Sequence, residues 1–254
     1  MIHLLKKILP DSYHPLNYLS KRTIKKANGM IQSGPFKGMQ YIEEAYSSGI
    51  CPKLVGTYEK EIQPWIHEVL EIPFDAIIDI GSAEGYYSVG FALFGKSIKV
   101  VSYELSSEAR ILQLQLAKKN EVEHKIELKH RCENDDLNGD LKKYIRNFIL
   151  CDVEGYEHAL LDMQKLPLLK FSTMVIECHN HVWEEMESSL AKRFGSTHLI
   201  QSIRAELNGN PDDYPYTNLI YSILPRKYKN FPILDQRAPE TTWLYLKPFD
   251  HNQN

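Results

Sequence analysis

The chain has 254 residues, of which 43% are hydrophobic and 25% charged, a composition typical of a folded protein with a substantial core. Its formal net charge of −3 argues against a broadly basic, nucleic-acid-binding surface, and no apolar run approaches the roughly 20 residues of a membrane span. The four cysteines show neither a C-x-x-C pair nor zinc-ligand spacing, so we expect reduced, buried thiols and a cytoplasmic protein.

The first 56 residues are predicted to form a helical and loop appendage. Prolines and glycines interrupt short helical pieces, and residues 1–30 carry a net charge of +5, whereas the remainder of the chain sums to −8. A short docking helix is the expected role of the basic N-terminus, and weak contact with a membrane surface is the alternative. Residues 57–254 are predicted to form the second and larger domain.

From residue 74 onward, predicted strands and helices alternate. Strands are predicted over residues 77–80, 98–103, 125–130, 147–151, 173–178, 198–203 and 241–246. The intervening helices are predicted over residues 86–94, 106–119, 137–146, 155–166 and 182–194. This alternation favours an α/β fold with a Rossmann-like, doubly wound sheet of seven mostly parallel strands and an antiparallel last strand. The irregular stretch 205–240 would then lie near the substrate side of the sheet.

The predicted sheet is organised around residues 76–89, A-I-I-D-I-G-S-A-E-G-Y-Y-S-V, which indicate a buried strand, a glycine turn and the start of a helix. Gly81 and Gly85 bracket the turn, where glycine allows unusual backbone angles and a close approach of a ligand to the main chain. Ligands of open α/β sheets bind outside the carboxyl ends of the strands. The residues predicted to contact a cofactor at this turn are Asp79, Gly81, Ser82, Glu84 and Gly85.

Glu104 ends the second predicted strand, 19 residues beyond Gly85. A carboxylate in this position can accept hydrogen bonds from two adjacent ribose hydroxyls. Glu104 and the following Leu105 are therefore predicted to contact a cofactor. Both NAD and S-adenosyl-L-methionine (SAM) contain such a ribose, so this carboxylate does not distinguish them.

The glycine turn does distinguish the two cofactors. A dinucleotide requires G-x-G-x-x-G to bind its pyrophosphate, whereas position 83 is alanine and Glu84 adds a negative charge. SAM has no phosphate and carries a sulfonium and an ammonium group, so an acid-lined turn favours SAM. The alternative is a turn that only packs a helix onto a strand. Cys132 and Glu133 follow the third predicted strand, where their spacing indicates contacts with the adenine; a solvated loop is the equal alternative.

A second informative stretch is I-L-C-D-V-E-G-Y-E at residues 149–157, where an apolar strand runs into three acids. Acids that end a central strand are costly to bury unless they are used or paired. The D-V-E-G-Y-E string resembles the signature of the FkbM-type methyltransferases, a class I SAM-dependent family. The glycine turn at residues 78–88 and V-I-E-C-H at residues 175–179 are similar to other parts of that family, over roughly residues 57–180. Glu84 departs from the family, in which this position is often uncharged.

The resemblance implies SAM-dependent methyl transfer, preferably to an oxygen of a small molecule or of a sugar or glycan, and names no particular acceptor. The alternative is a non-catalytic protein that kept the fold and binds SAM or a nucleotide. A nucleic-acid methyltransferase would carry N-P-P-Y or D-P-P-Y after the fourth strand, where D-V-E-G stands here, so no nucleic-acid partner is expected. The sequence does not indicate an oligomeric state.

Methyl transfer is an in-line displacement, so an enzyme must align the two reactants, and an oxygen acceptor must also lose its proton. We expect Asp152 to contact the methionine end of SAM or the acceptor, with Glu154 as a further catalytic residue. His179 is the candidate general base because the ordinary pKa of histidine is near neutral. Helix-start capping by Glu154 and an ordinary loop role for His179 are the alternatives. A magnesium ion held by Asp152, Glu177 and His179 is a further alternative that rests on residue types alone.

Overall fold

The computed structural model describes residues 15–97, 99–235, 237–238 and 240–249. Contacts between these residues divide the chain into two compact units, which take their residues from Met1–Lys60 with Glu206–Gln236 and from Glu61–Ala205 with Arg237–Asn254. This grouping differs from the predicted division after residue 56, because it assigns residues 206–236 to the unit that contains the N-terminal residues.

The larger unit contains a seven-stranded sheet. In chain order its strands are β1 (Ala76–Ile80), β2 (Val100–Tyr103), β3 (Ile126–Lys129), β4 (Asn147–Cys151), β5 (Thr173–His179), β6 (His198–Arg204) and β7 (Thr241–Pro248). They lie in the order β3-β2-β1-β4-β5-β7-β6. The first five strands pair in parallel, whereas β7 runs antiparallel to both β5 and β6. The predicted doubly wound sheet with an antiparallel last strand is confirmed.

Helices connect the strands and also occur in the smaller unit. The α-helices are α1 (Pro15–Ala27), α2 (Ile50–Val55), α3 (Gln63–Glu71), α4 (Tyr86–Phe94), α5 (Ser107–Lys119), α6 (Asn134–Lys143), α7 (Glu157–Leu160), α8 (Met186–Phe194), α9 (Leu219–Ile223) and α10 (Arg226–Lys229). Short 3-10 helices span Lys60–Ile62, Glu123–Lys125, Pro167–Phe171 and Pro211–Asp213. The sequence predicted α4 and α5 at these bounds, and Ser106 caps α5 by accepting a hydrogen bond from the Ala109 amide.

Two predicted helices of the larger unit are shorter than the sequence indicated. The helix predicted over residues 155–166 is only the four-residue α7. Arg193 Nη1 donates to the carbonyl oxygens of His158 and Leu161, at 2.6 and 2.7 Å, so a guanidinium satisfies carbonyls that a further helical turn would have used. The helix predicted from residue 182 begins at Met186, after a series of turns.

The core of the larger unit lies on both faces of the sheet, because β1 and β4 are buried along their whole length. Ile78 and Ile80 of β1 join Ile149 and Cys151 of β4 in one hydrophobic cluster, which extends to β5, β7 and α8. All four cysteines are buried and form no disulfide, as predicted for their burial. β1 lies between β2 and β4, so its carboxyl end lies at the switch point of the strand order, where open α/β sheets bind ligands.

The smaller unit has its own hydrophobic cluster. Its buried members are Leu19, Val55, Tyr214, Tyr221 and Ile233. The Thr23 hydroxyl of α1 lies 3.0 Å from the hydroxyl of Tyr214, so residues far apart in sequence are joined inside this unit. Helix α2 of this unit ends at Gly56, whose φ of 90° suits glycine.

None of the helices that the structure describes combines the length and the apolar character needed to cross a membrane. Residues 1–14 belong to the basic segment for which a docking helix is expected and weak membrane-surface contact is the alternative, and they lie outside the described residues. Both stay predictions.

The close contact of Gly81 with β4 leads to a prediction about stability. A Cβ atom at Gly81 would lie 1.6 Å from the carbonyl oxygen of Asp152, and its φ of 87° is strained for any residue with a side chain. We expect Gly81→Ala to lower the free energy of unfolding by more than about 2 kcal/mol, because backbone atoms must move apart. Urea denaturation would measure the change.

Gly139 provides the matched control. It lies within α6, and a Cβ atom there would meet nothing within 4 Å. We expect Gly139→Ala to raise the free energy of unfolding by about 0.5–1 kcal/mol, because alanine loses less conformational freedom in a helix. Equal effects of the two substitutions would contradict the structural basis of the prediction.

Candidate active site

The turn between β1 and α4 carries most of the residues predicted to contact a cofactor. The amides of Gly81 and Ser82 both donate to the carbonyl oxygen of Tyr103, at 2.9 and 3.1 Å, which ties the turn to the end of β2. Gly81, Ala83 and Gly85 all have positive φ, at 87°, 47° and 91°. This backbone follows the edge of the sheet closely, as a turn that admits a ligand to its main chain must do.

The two glycines of this turn are also required by packing inside the protein. The space beside Gly81 is filled by the carbonyl oxygen of Asp152, and a Cβ atom at Gly85 would lie 2.6 Å from Cγ of Gln113. The sequence indicated glycines that allow a ligand to approach. The structure shows in addition that they allow β4 and α5 to approach, which the sequence could not indicate.

Asp79 is buried and belongs to a network of uncharged polar side chains. Its Oδ2 lies 2.5 Å from Oγ of Ser88, which lies 2.9 Å from Oγ of Ser102. Ser102 in turn contacts Oγ of Ser82 at 2.7 Å and Nε2 of Gln113 at 2.6 Å, and Ser82 lies 3.0 Å from Oε1 of Gln113. All five side chains are buried, so their partners must come from protein groups and not from bulk water.

A count of hydrogens indicates the protonation state of this network. The network contains five contacts, but the three serine hydroxyls and one amide hydrogen of Gln113 supply only four hydrogens. A protonated Asp79 supplies the fifth. Burial raises the pKa of the Asp79 carboxyl to about 7, and the nearby charges of Asp152 and Glu104 add to the rise. The hydrogen count and the raised pKa therefore both favour a neutral Asp79 below about pH 7, although hydrogen bonds from Ser88 oppose the rise.

Glu104 lies at the end of β2 with its carboxylate fixed by two loops. Oε2 accepts a hydrogen bond from the Ala83 amide at 2.8 Å, and Oε1 accepts one from the Ser106 amide at 2.7 Å. Each oxygen has a second lone pair, so the carboxylate can still accept a bond from a ligand on each side. The neighbouring Leu105 is 71% exposed, which leaves an apolar side chain uncovered next to this carboxylate.

The remaining predicted cofactor residues are less open. Glu84 is fully buried. The Cys132 side chain packs in the hydrophobic core, where burial raises the pKa of its thiol, so an adenine contact at this residue would have to come from the backbone. Glu133 forms an ion pair with Arg131, with Oε1 and Nε 2.8 Å apart, and its amide donates to Asp136 at the start of α6. The adenine contact and its solvated-loop alternative both stay predictions for these two residues.

A second group of predicted residues meets at the ends of β4 and β5. His179 is the last residue of β5, and only 5% of its side chain is exposed. Its Nε2 lies 3.5 Å from Oδ1 of Asp152 and 3.3 Å from Oε2 of Glu154. Its Nδ1 lies 2.8 Å from Oε1 of the fully buried Glu157. The same Glu157 oxygen accepts hydrogen bonds from the amides of Val153 and Gly155, at 3.0 and 3.2 Å.

The acids around His179 determine its charge. Burial lowers the pKa of the imidazole, but the contacts with Glu154 and Glu157 and the charge of Glu177 raise it more, to about 11. The same contact with His179 lowers the pKa of Glu154. A ring with this pKa is an imidazolium at neutral pH and has no lone pair with which to accept a proton. In the free protein this pKa favours a protonated His179, and its role as the general base stays a prediction.

Arg237 is a functional candidate that the sequence did not indicate. Its Nη1 donates to Oε1 of the buried Glu177 at the end of β5, and its guanidinium lies over the Trp243 ring, 5.0 Å from the centroid. Burial raises the pKa of Asp152, and the charge of Arg237 is the largest influence opposing that rise. Arg237 follows an irregular stretch, so only its type could have drawn attention to it. Its contact occupies Oε1 of Glu177, whose charge still raises the pKa of His179.

The structure thus brings together two groups of residues along one edge of the sheet. The ends of β1 and β2 carry Asp79, the glycine turn and Glu104, while the ends of β4 and β5 carry the acids around His179. The two groups meet where Gly81 contacts the carbonyl oxygen of Asp152. An arrangement of this kind can hold a ribose at one end and a cationic group at the other.

Comparisons with known proteins identify the fold. The sequence matches no family model, and a search of curated proteins finds no match. The C-terminal domain of precorrin-6Y C5,15-methyltransferase from Rhodobacter capsulatus superimposes with a TM-score of 0.50 and 13% identity, over 74% of this chain and 88% of that one. An rRNA methylase from Streptococcus thermophilus superimposes with a TM-score of 0.46 and 12% identity, over 71% and 90%.

A third structure covers more of the chain. A protein assigned as an O-methyltransferase from Klebsiella pneumoniae superimposes with a TM-score of 0.45 and 9% identity, over 97% of this chain and 94% of that one. Together with the observed strand order, the precorrin enzyme domain shows that this chain has the Rossmann-like methyltransferase fold. At these identities the similarity concerns the fold alone.

The neutral state of Asp79 predicts a pH dependence of stability. Because the pKa of Asp79 is about 7 in the folded protein and near 4 when unfolded, only the folded state holds this proton between those values. Stability must therefore fall as the pH rises from about 4 to 7 and level off above that range. Asp79→Asn removes the titration and can still donate to Ser88. We expect its thermal midpoint to gain on that of the wild type as the pH rises through this window.

Asp135→Asn is the control for this measurement, because Asp135 is exposed in the first turn of α6. Its thermal midpoint should differ from that of the wild type by a constant amount over the same pH range. If Asp79→Asn also gave a constant difference, the carboxyl would be ionised throughout and the hydrogen count would be wrong.

Proposed function

We propose that this protein is a SAM-dependent methyltransferase that methylates a hydroxyl oxygen of a small molecule or of a sugar or glycan. The observation that carries the proposal is the Glu104 carboxylate, held between the amides of Ala83 and Ser106 at the edge of the sheet. A carboxylate fixed in this way has its remaining lone pairs directed before a ligand arrives, as recognition of adjacent ribose hydroxyls requires.

The residues around Glu104 suit the rest of SAM. Leu105 offers an exposed apolar side chain on which an adenine can pack, and the turn from Gly81 to Gly85 offers main-chain groups. Asp152 lies against Gly81 and provides a carboxylate on the side of the sulfonium and ammonium groups. Ser82 helps to hold the turn in place through the hydrogen-bond network that includes Asp79. Glu133 and the backbone of Cys132 stay candidates for contacts with the adenine edge.

The sequence supports the same cofactor and refines the class. The D-V-E-G-Y-E string and the glycine turn resemble the FkbM-type methyltransferases, and membership of that family is part of the proposal. The methyltransferase fold agrees with it. The acids at the ends of β4 and β5 would repel a phosphate backbone, so an uncharged hydroxyl acceptor is favoured over RNA.

The proposed reaction is an in-line displacement in which the protein mainly aligns the methyl group with the acceptor oxygen. Asp152 and Glu154 lie beside His179, so these three residues face the position where the acceptor would lose its proton. His179 can accept that proton only as a neutral imidazole, in which Nε2 has a free lone pair. The catalytic assignment of Asp152, Glu154 and His179 is therefore proposed as a unit.

The first test is binding of SAM, measured by isothermal titration calorimetry. We expect the wild type to bind SAM and Glu104→Gln to bind it roughly 10- to 100-fold more weakly, because hydrogen bonds to a charged acceptor contribute about 1.5–3 kcal/mol. Glu108→Gln is the matched control, since Glu108 is exposed on α5 and bonds only locally, to the Ser106 hydroxyl at 2.8 Å. Absence of SAM binding to the wild type would overturn the proposal.

The second part of the test measures transfer. Methyl-labelled SAM would be incubated with panels of sugars, glycans, small hydroxyl compounds and RNA. Label on a hydroxyl compound supports the proposal, and label on RNA overturns the acceptor class. Tight SAM binding without transfer to any panel would identify the alternative, a protein that keeps the fold and the cofactor without turnover.

A further inference from the structure

We propose that Asp152, Glu154 and His179 form a binding site for a divalent transition-metal ion of the Mn²⁺ or Zn²⁺ type. The three residues come from the ends of β4 and β5, and one ligand atom from each lies within 4.8 Å of the others. The binding itself can be tested without SAM. The role of the ion, however, rests on the proposed function, because the ion would lie where the acceptor hydroxyl has to lose its proton.

The distances within the cluster fit a shared ion better than direct hydrogen bonds. Nε2 of His179 is 3.5 Å from Oδ1 of Asp152 and 3.3 Å from Oε2 of Glu154, both longer than ordinary N–H···O bonds of about 2.7–3.2 Å. Two ligands on one ion with bonds of about 2.1 Å lie about 3.0–3.4 Å apart in octahedral or tetrahedral geometry. Oδ1 of Asp152 is buried and has no hydrogen-bond partner among the described residues.

The protein also orients the imidazole for this purpose. Nδ1 of the buried His179 faces Oε1 of Glu157 at 2.8 Å, and amides of the β4 loop hold that carboxylate in place. Nε2 is thereby directed at Asp152 and Glu154. Histidines that bind metals usually face a carboxylate or carbonyl with their second nitrogen, which sets the tautomer and the ring orientation.

The charges around the cluster favour a dication. His179 is surrounded by the carboxylates of Asp152, Glu154, Glu157 and Glu177, while Arg237 is paired with Glu177. The four carboxyl groups outnumber the imidazole and the guanidinium. This ligand set differs from the set that the sequence indicated, because Glu177 is engaged by Arg237 and Glu154 contacts Nε2 instead.

The donor types select the class of ion. An imidazole nitrogen with two carboxylate oxygens suits Mn²⁺ or Zn²⁺ better than Mg²⁺, which prefers oxygen ligands and retained waters. The Glu154 side chain is 81% exposed, so its rotation can bring Oε2 closer, and the same side leaves coordination positions open to solvent. A hydroxyl bound there would have its pKa lowered, which would help the acceptor to lose its proton.

The test is titration of the full chain with Mn²⁺ after removal of metals with EDTA, followed by electron paramagnetic resonance of free Mn²⁺. We expect one Mn²⁺ per chain at this site, competition by Zn²⁺, and little displacement by Mg²⁺. Glu154→Gln should weaken binding roughly 10- to 100-fold. Because Glu154 is exposed, this variant should fold, which thermal unfolding in EDTA would verify. His179→Asn should abolish the site.

Glu184→Gln is the matched control, because Glu184 is an exposed acid in the loop after β5 and outside the cluster. It should bind Mn²⁺ as the wild type does. Absence of stoichiometric binding to the wild type, or equal affinity of the wild type and Glu154→Gln, would overturn the inference. SAM titration in EDTA separates the proposals: SAM binding without Mn²⁺ binding would remove only the metal, and Mn²⁺ binding without SAM binding would remove only the methyltransferase.

Discussion

The site depends above all on the contact between the main chain at Gly81 and the carbonyl oxygen of Asp152. The amide of Asp152 donates to the carbonyl of Ile80 at 2.9 Å, so the ends of β1 and β4 meet backbone to backbone with no side chain between them. This contact sets the distance between the glycine turn and the first acid of the second group. Because interiors are close-packed, neither group can shift without the other.

The edge of the sheet shows three different ways of placing a carboxyl group away from water. Asp79 lies among neutral donors and is most stable when it keeps its proton. Glu104 accepts hydrogen bonds from two main-chain amides. The acids around His179 contact the imidazole, and Arg237 pairs with one of them. Each arrangement offsets the free-energy cost of burying a carboxyl group. The local charge along this edge of the sheet becomes more negative from Asp79 to the acids around His179.

The parts of the fold that could be predicted are those determined by residues close together in the sequence. The alternation of strands and helices indicated the sheet, and Ser106 and Gly95 marked the ends of α5 and α4. The parts that could not be predicted depend on residues distant in the chain. Arg193 ends α7 from 35 positions away, and Arg237 engages Glu177 from 60 positions away. The sequence places the predicted site residues at the ends of neighbouring strands, but their protonation states follow from contacts that no spacing encodes.

The backbone at Glu154 has a consequence for how this protein would respond to selection. Glu154 and Gly155 follow one another with φ of 52° and 104°, and a left-handed conformation costs a residue other than glycine about 1–2 kcal/mol. Glycine or asparagine at position 154 would relieve that strain and remove the carboxylate. Variants selected only for thermostability should therefore lose glutamate at position 154, whereas variants selected for activity should keep it. The residue found at this position would then show which property was selected.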